Sequence, residues 1–122
     1  MNASVVDASA VAAILFNEPS AEQTARQLGT STLVAPALLA YELGNVGWKK
    51  CRKHPEQADA IRKALRLLAE LEVHLHDVNT AEVLELARRV ELSFYDASYL
   101  WLARHLGLPL VTLDKRLQQA IQ

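Results

Sequence analysis

The sequence predicts a three-layer α/β/α domain in which a central parallel sheet of four or five strands lies between two layers of helices. Three observations support this fold class. Four short apolar segments have the length of buried strands, helical repeats of apolar residues separate them, and 51% of the residues are hydrophobic. Because parallel strands need long crossovers and are covered on both faces, this alternation is typical of α/β proteins. The length of 122 residues fits a single domain spanning residues 1–122.

The first half of the chain contains two of the expected strands. In chain order its elements are a strand at 3–6, a helix to Phe16, a helix from 19 or 20 to about 28, a strand at 32–35, a helix from Pro36 to 53, and a helix at 56–71. The first helix follows from Val11, Ile14 and Leu15, which recur at helical spacing. Proline favours a first helical turn and breaks a helix interior, so we expect Pro36 to begin the long helix and Pro55 to end it.

The second half of the chain alternates in the same way. Its expected elements are a strand at 73–76, a helix from 81 to about 91, a helix from 93 to 106, a strand at 110–113, and a last helix from 114 to the end. Asn79 or Thr80 and Ser93 are suited to cap the first two helices, because their side chains accept hydrogen bonds from free N–H groups. Gly107 is suited to close the second helix in a left-handed conformation.

Composition limits the classes of protein to which the chain can belong. The net charge of −1 argues against holding nucleic acid by bulk electrostatics, although local contact is allowed. The single cysteine, Cys51, cannot form an internal disulfide, which is typical of a reducing compartment. The longest charge-free stretch, residues 27–41, is too short and polar to span a membrane, and Asp7 interrupts the first apolar run. We therefore expect a cytoplasmic protein.

Four acidic residues occupy positions that a parallel sheet brings together. Asp7 follows the first strand and Asp114 follows the fourth, at the carboxyl ends where such sheets bind ligands. Asp96 lies in the first turn of the helix that begins at Ser93, and Glu42 follows the second strand on the edge of an apolar helix face. Each has a purely structural explanation: Asp7 and Asp114 as helix caps, Asp96 as part of a capping box, and Glu42 as a solvated side chain.

If these four side chains meet, their charges repel one another by a few kcal/mol per close pair. Such a cluster must take up protons or bind a cation, and a set of oxygen ligands favours Mg²⁺ or Mn²⁺. The hydroxyls of Ser9 and Thr112 lie two residues from Asp7 and Asp114, where they can orient a carboxylate or a metal-bound water.

Other candidate sites are weaker. His74 and His76 have a spacing that can bind zinc, but the neighbouring sequence offers no cysteine or third histidine to complete the site. Cys51 lies between basic residues but has no histidine assigned to it as a base. The basic run at residues 49–54, preceded by Trp48, fits a solvated helix end and also allows contact with a nucleic-acid backbone. Walker and Gly-x-Ser-x-Gly motifs are missing from the sequence.

The chain resembles a PIN domain and, within that family, the VapC toxins of bacterial toxin–antitoxin pairs. The resemblance covers nearly the whole chain, and the acidic residues occur in the expected order. The segments that carry it are 5–9 (VVDAS), 17–20 (NEPS), 35–36 (AP), 41–46 (YELGNV), 94–103 (FYDASYLWLA) and 106–114 (LGLPLVTLD).

The resemblance implies that a Mg²⁺ or Mn²⁺ ion bound by the acidic side chains drives hydrolysis of RNA phosphodiester bonds. It makes Asp7, Glu42, Asp96 and Asp114 the catalytic and metal-binding carboxylates, and Ser9, Asn45 and Thr112 the supporting polar residues. Some relatives carry a further acidic residue where this chain has Lys115 and Arg116, which argues against a second tightly held metal ion.

The resemblance also implies partners. Toxins of this type form homodimers and are inhibited by a small antitoxin whose C-terminal segment can point a basic side chain into the acidic site. Trp48 and Leu39 are candidates for the groove or the dimer contact.

Two further classes of function are open on sequence alone. One is a PIN-like protein that binds a partner and has weak or no nuclease activity, although the intact set of carboxylates favours an enzyme. The other is a receiver or haloacid-dehalogenase-like phosphotransfer domain, which also places aspartates at strand ends. The dehalogenase pattern expects an aspartate where this chain has Ser9, and a receiver expects an acidic pair after its first strand and a lysine after its last, so neither pattern fits well.

Overall fold

A computed structural model describes residues 2–122, and it contains one sheet of four parallel strands in the order β3-β2-β1-β4. The strands are β1 (Ala3–Val6), β2 (Thr32–Pro36), β3 (His74–His76) and β4 (Leu110–Val111). The helices are α1 (Ala8–Leu15), α2 (Ala21–Leu28), α3 (Leu38–Lys53), α4 (Ala58–Arg66), α5 (Thr80–Val90), α6 (Phe94–Leu106) and α7 (Lys115–Ile121). The prediction of a three-layer α/β/α fold with a parallel sheet is confirmed.

The expected start of the long helix is wrong by two residues. Pro36 is the last residue of β2, where it is in register with His76 of β3, and α3 begins at Leu38. The N–H of Ala37 also donates to the carbonyl of His76 (3.1 Å), so the chain stays paired with β3 beyond the proline. Sheet pairing has therefore overridden the preference of proline for a first helical turn.

Two other elements are shorter than the sequence predicts. The region 56–71 is not one helix, because 3₁₀ turns at Pro55–Gln57 and Leu67–Leu71 flank α4. The fourth strand ends at Val111, since the hydroxyl of Thr112 accepts a hydrogen bond from the N–H of Asp114 (3.0 Å). A local bond of this kind offers the backbone an alternative to the ladder of a sheet.

The buried core lies between β1, one of the two inner strands, and the helices packed on it. Val5 and Val6 are fully buried, and α6 contributes Tyr99 and Leu102, each only 1% exposed. Burial of these side chains fixes the position of α6 relative to the sheet, and with it the turn that carries Asp96. Within residues 2–122, no helix has both the length and the apolar character that crossing a membrane requires.

Candidate active site

The four acidic residues lie around the carboxyl edge of the sheet. Asp7 follows β1 directly and is buried, with 5% of its surface exposed. Asp114 comes three residues after the end of β4, Glu42 lies in the second turn of α3, and Asp96 lies in the first turn of α6. These three are partly buried, so each carboxylate lies between the protein interior and solvent.

Asp7 is held by hydrogen bonds to both of its carboxylate oxygens. Its Oδ1 accepts from the hydroxyl of Ser9 (2.7 Å) and from the N–H of Ala10 (3.0 Å), and its Oδ2 accepts from the hydroxyl of Thr112 (2.5 Å). The structural explanation of Asp7 as the cap of α1 is therefore correct. The bond from Thr112 is not part of a helix cap, and it links the ends of β1 and β4.

Ser9 and Thr112 also fix the segment that leads from β4 to Asp114. The N–H of Leu113 donates to the Ser9 hydroxyl (2.9 Å), and the N–H of Asp114 donates to the Thr112 hydroxyl (3.0 Å). Asp114 then caps α7 through a hydrogen bond from the N–H of Leu117 (3.0 Å) to its Oδ1. Both hydroxyl residues that the sequence singled out thus orient the acidic residues beside them.

Tyr99 is a member of the site that sequence reasoning missed. Its hydroxyl donates to Oε1 of Glu42 (2.5 Å), and its side chain is buried in the core. Tyr99 lies three residues after Asp96 on α6, on the same face of the helix. That spacing is the signal that would have identified it. The bond ties α6 to α3 and sets the position of the Glu42 carboxylate.

The carboxylates influence one another electrostatically. Burial raises the pKa of Asp7 above its ordinary value, the hydrogen bonds from Thr112, Ser9 and Ala10 oppose that rise, and the charge of Asp114 adds to it. Burial likewise raises the pKa of Glu42; the Tyr99 bond lowers it, and the charges of Asp96 and Asp7 raise it further.

The pKa of Asp96 follows the same pattern. Burial and the charge of Asp114 raise it, whereas a hydrogen bond with Ser93 and the positive charge of Arg116 lower it. These mutual effects bring the four acidic residues into one electrostatic cluster. Ser93 also caps α6 by accepting from the N–H of Asp96 (3.0 Å), so the capping explanation is correct here as well.

The donor set fits a hard divalent cation in chemistry, because it consists of carboxylate and hydroxyl oxygens in a region of concentrated negative charge. Among residues 2–122, however, no three His, Cys, Asp or Glu side chains are close enough to hold an ion as they stand. Mg²⁺ commonly uses only one or two carboxylates directly and keeps several waters. Such binding does not require a closed cage of side chains.

Two polar residues at the margin of the cluster were also singled out by the sequence. Asn45 is exposed and lies one helical turn after Glu42 on α3. Arg116 is held near Asp96, and its guanidinium donates to the carbonyl of Glu91 (3.4 Å). The positive charge of Arg116 therefore lies at the margin of the acidic cluster.

Among the described residues, the remaining sequence candidates form no hydrogen bond or ion pair with the four carboxylates. His74 and His76 are exposed on β3, the edge strand. Within the basic run, Lys50 pairs with Glu18 (3.1 Å), while Lys49 and its neighbours Arg52 and Lys53 line an open cavity of about 310 Å³.

The two candidates for a groove or dimer contact differ in exposure. Trp48 is 55% exposed, and the guanidinium of Arg52 lies 4.8 Å from the centre of its ring. Leu39 is only 1% exposed, but it lines a cavity of about 180 Å³ together with Leu68 and Leu75, so its part in a groove or dimer contact stays a prediction.

Comparison with known proteins assigns the chain to a family. The family model for the PIN domain matches residues 4–121. The chain belongs to the PIN-domain family. This membership overturns the receiver and dehalogenase-like alternatives, and the resemblance noted in the sequence is confirmed.

Relatives of this PIN domain include two proteins of Pyrobaculum aerophilum. It is 32% identical over 120 residues to Ribonuclease VapC3, an alignment that covers 94% of this chain and 92% of the relative. It is 42% identical over 81 residues to Exonuclease VapC9, covering 66% of this chain and 60% of the relative. The crystal structure of PAE2754 from the same organism matches with a TM-score of 0.78 at 31% identity, covering 97% of this chain and 85% of that one.

Proposed function

We propose that this PIN domain is a Mg²⁺- or Mn²⁺-dependent endoribonuclease and the toxin of a toxin–antitoxin pair. The observation that carries the proposal is the electrostatic cluster of Asp7, Glu42, Asp96 and Asp114 at the carboxyl edge of the sheet. Three of these carboxyls have raised pKa values because burial and neighbouring charges disfavour ionisation. A bound divalent cation favours the ionised carboxylates, and so offsets both the cost of burying them and their mutual repulsion.

In this proposal the four carboxylates hold the metal ion and the chain's other residues hold the carboxylates. When bound, the ion supplies an activated water and neutralises charge on the phosphate. Thr112 and Ser9 fix Asp7, and Tyr99 fixes Glu42, so that these oxygens are oriented before substrate arrives. Asn45, exposed beside Glu42, is proposed to support the same site.

The choice of RNA rests on the family and on the two named relatives. VapC3 is named a ribonuclease, and VapC9 an exonuclease. The endonucleolytic mode is implied by the resemblance to VapC toxins, while the name of VapC9 makes exonucleolytic cleavage the natural alternative. A circular RNA separates the two modes, because it has no end from which an exonuclease can begin.

The toxin role carries further proposals about partners and location. We expect a small antitoxin that places a basic side chain among the four carboxylates, since a cation there lowers their mutual repulsion. We also propose a homodimer and a cytoplasmic location, where cellular RNA is the substrate. The exposed Trp48 is a candidate for the surface that meets a partner.

The alternative function is a PIN-like module that binds a partner without cutting RNA. A binding module has no need of buried or partly buried carboxylates that repel one another. Hydrogen bonds from Tyr99 and Thr112 keep two of those carboxylates in place, and this arrangement favours the enzyme.

The test is incubation of the purified chain with a circular single-stranded RNA in Mg²⁺, in Mn²⁺ or in EDTA. We expect metal-dependent linearisation that Asp96→Asn abolishes. Asp59→Asn is the matched control, because Asp59 is exposed and forms an ion pair with Arg62 on the same helix, α4 (2.8 Å). Cleavage of linear but not circular RNA would make the chain an exonuclease. No cleavage of either RNA in any metal would favour the binding module.

A further inference from the structure

A cavity of about 430 Å³ adjoins the acidic cluster at the carboxyl ends of β2 and β3. Its volume lies in the range of small-molecule sites, and its wall is mainly apolar. None of the four carboxylates lines it. The side chains that matter to the argument are Leu38, His76, Asp77, Thr80, Phe94 and Tyr95.

The cavity and the acidic cluster share two helix turns. Tyr95 and Ser98 line the cavity, and Asp96 lies between them in the first turn of α6. Leu38 lines the cavity, and Glu42 lies four residues later on α3, on the same side of that helix. The cavity therefore lies on the same two helix turns as Asp96 and Glu42.

Two aromatic rings are exposed at the cavity. Phe94 is 37% exposed and Tyr95 is 58% exposed, and their ring centres are 6.5 Å apart at an angle of 85°. The edge-to-face arrangement holds the pair in a defined geometry and leaves ring surface open to a ligand. Unpaired bases of RNA stack on such exposed rings.

The polar groups of the cavity complement a base. His76, Asp77 and Thr80 supply hydrogen-bond donors and acceptors along one wall, as recognition of a base edge requires. Among the described residues that line the cavity, none is a lysine or an arginine. A phosphate would lie against Asp77 with neither a lysine nor an arginine beside it, so the cavity suits the neutral base better than the backbone.

We propose that this cavity binds an unpaired nucleobase next to the phosphate that is cut, with Tyr95 as the stacking platform. The proposal deepens the nuclease function and rests on it for the identity of the polymer. It accounts for two exposed aromatic side chains beside an acidic centre, which a site for the phosphate alone does not need.

The test is a titration of the ¹⁵N-labelled chain with the four nucleoside 5′-monophosphates in EDTA, followed by amide chemical shifts. Ribose 5-phosphate is the matched ligand, since it lacks only the base. We expect saturable shifts in residues 76–80 and 93–98 with at least one nucleotide and none with ribose 5-phosphate. Tyr95→Ala should weaken binding by about 5- to 150-fold, the loss typical of one stacked base.

Two variants separate stacking from folding. Tyr95→Phe keeps the ring and should bind as the parent does. Tyr41→Ala removes an aromatic side chain that is 78% exposed on α3 and does not line the cavity, and it should also bind as the parent does. Equal loss in Tyr41→Ala and Tyr95→Ala would overturn the proposal.

Other outcomes also decide the question. Equal shifts with ribose 5-phosphate, or no shifts at these residues, would overturn the base site. If the amide shifts of these residues changed with protein concentration in the absence of nucleotide, the cavity would be a contact between copies of the chain, and the proposed base site would be wrong. The assay needs neither metal nor cleavage, so base binding by a chain that cuts no RNA would keep this site while removing the nuclease. Cleavage of RNA without base binding would support the nuclease and overturn the base site.

Discussion

Replacement of Thr112 by valine tests whether the link between β1 and β4 stabilises the fold as well as the site. Valine has nearly the same shape but removes the hydroxyl that donates to Oδ2 of Asp7 and accepts from the N–H of Asp114. Loss of a hydrogen bond to a charged group costs about 1.5–3 kcal/mol, and an N–H left without its partner adds to this. We expect the free energy of unfolding at neutral pH to fall by about 2–4 kcal/mol.

The same substitution at Thr24 is the matched control. Thr24 is 1% exposed, and its hydroxyl has no hydrogen-bond partner among the described residues. Thr24→Val removes a buried hydroxyl that forms no hydrogen bond with the described residues. It should therefore leave the free energy of unfolding unchanged or raise it by up to about 1 kcal/mol. Urea unfolding followed by circular dichroism measures both variants in EDTA. Each kcal/mol corresponds to about 4 °C in melting temperature for a chain of this length.

The effect of Thr112→Val should also depend on pH. The hydrogen bond from Thr112 favours the ionised form of Asp7, so removing it raises the pKa of Asp7 further. The loss of stability is then larger above the folded pKa of Asp7, where the carboxyl is ionised, than well below it, where the carboxyl is protonated. A loss below about 0.5 kcal/mol, or equal effects of the two threonine substitutions, would refute the reasoning.

Two further predictions concern the carboxylates. Tyr99→Phe removes the hydrogen bond to Glu42 and so raises the pKa of Glu42. The affinity for Mn²⁺, measured by calorimetry, should fall roughly 10- to 100-fold, and the acid limb of the cleavage rate should move to higher pH. Tyr41→Phe, one residue before Glu42, is the control and should leave both the affinity and the pH profile unchanged. Asp7→Asn should stabilise the metal-free chain, because the pKa of Asp7 is raised on folding and the parent loses stability as pH rises from about 4 through the folded pKa. Urea unfolding in EDTA checks this, and a parent that is more stable than Asp7→Asn at neutral pH would contradict it.

The fold was largely predictable because its signals are local. Helix caps at Ser93 and Asn79, and the left-handed Gly107, depend on residues within a few positions and were correctly assigned. The errors arose where contacts distant in sequence decide the structure. Pro36 remains in the sheet because β3 pairs with it, and that strand comes 38 residues later in the sequence.

The sequence predicted that the four acidic residues lie near the carboxyl edge of the sheet, but not the hydrogen bonds that connect them. Asp7 and Asp114 are both helix caps and members of the acidic cluster, so the structural and functional explanations do not exclude each other. The bond between Tyr99 and Glu42 joins residues 57 positions apart. The spacing of three residues from Asp96 places Tyr99 on the same face of α6, but only the packing of α6 on the sheet brings its hydroxyl to Glu42.

Calorimetric titration of the chain with Mn²⁺ tests most directly whether the four carboxylates form one metal site. We expect saturable binding by the parent and by Asp59→Asn. Asp96→Asn should lose at least about 10- to 100-fold in affinity, the loss typical of residues that only orient a ligand. Equal affinity in the parent and Asp96→Asn, or no binding by the parent, would mean that the acidic cluster does not hold a metal ion.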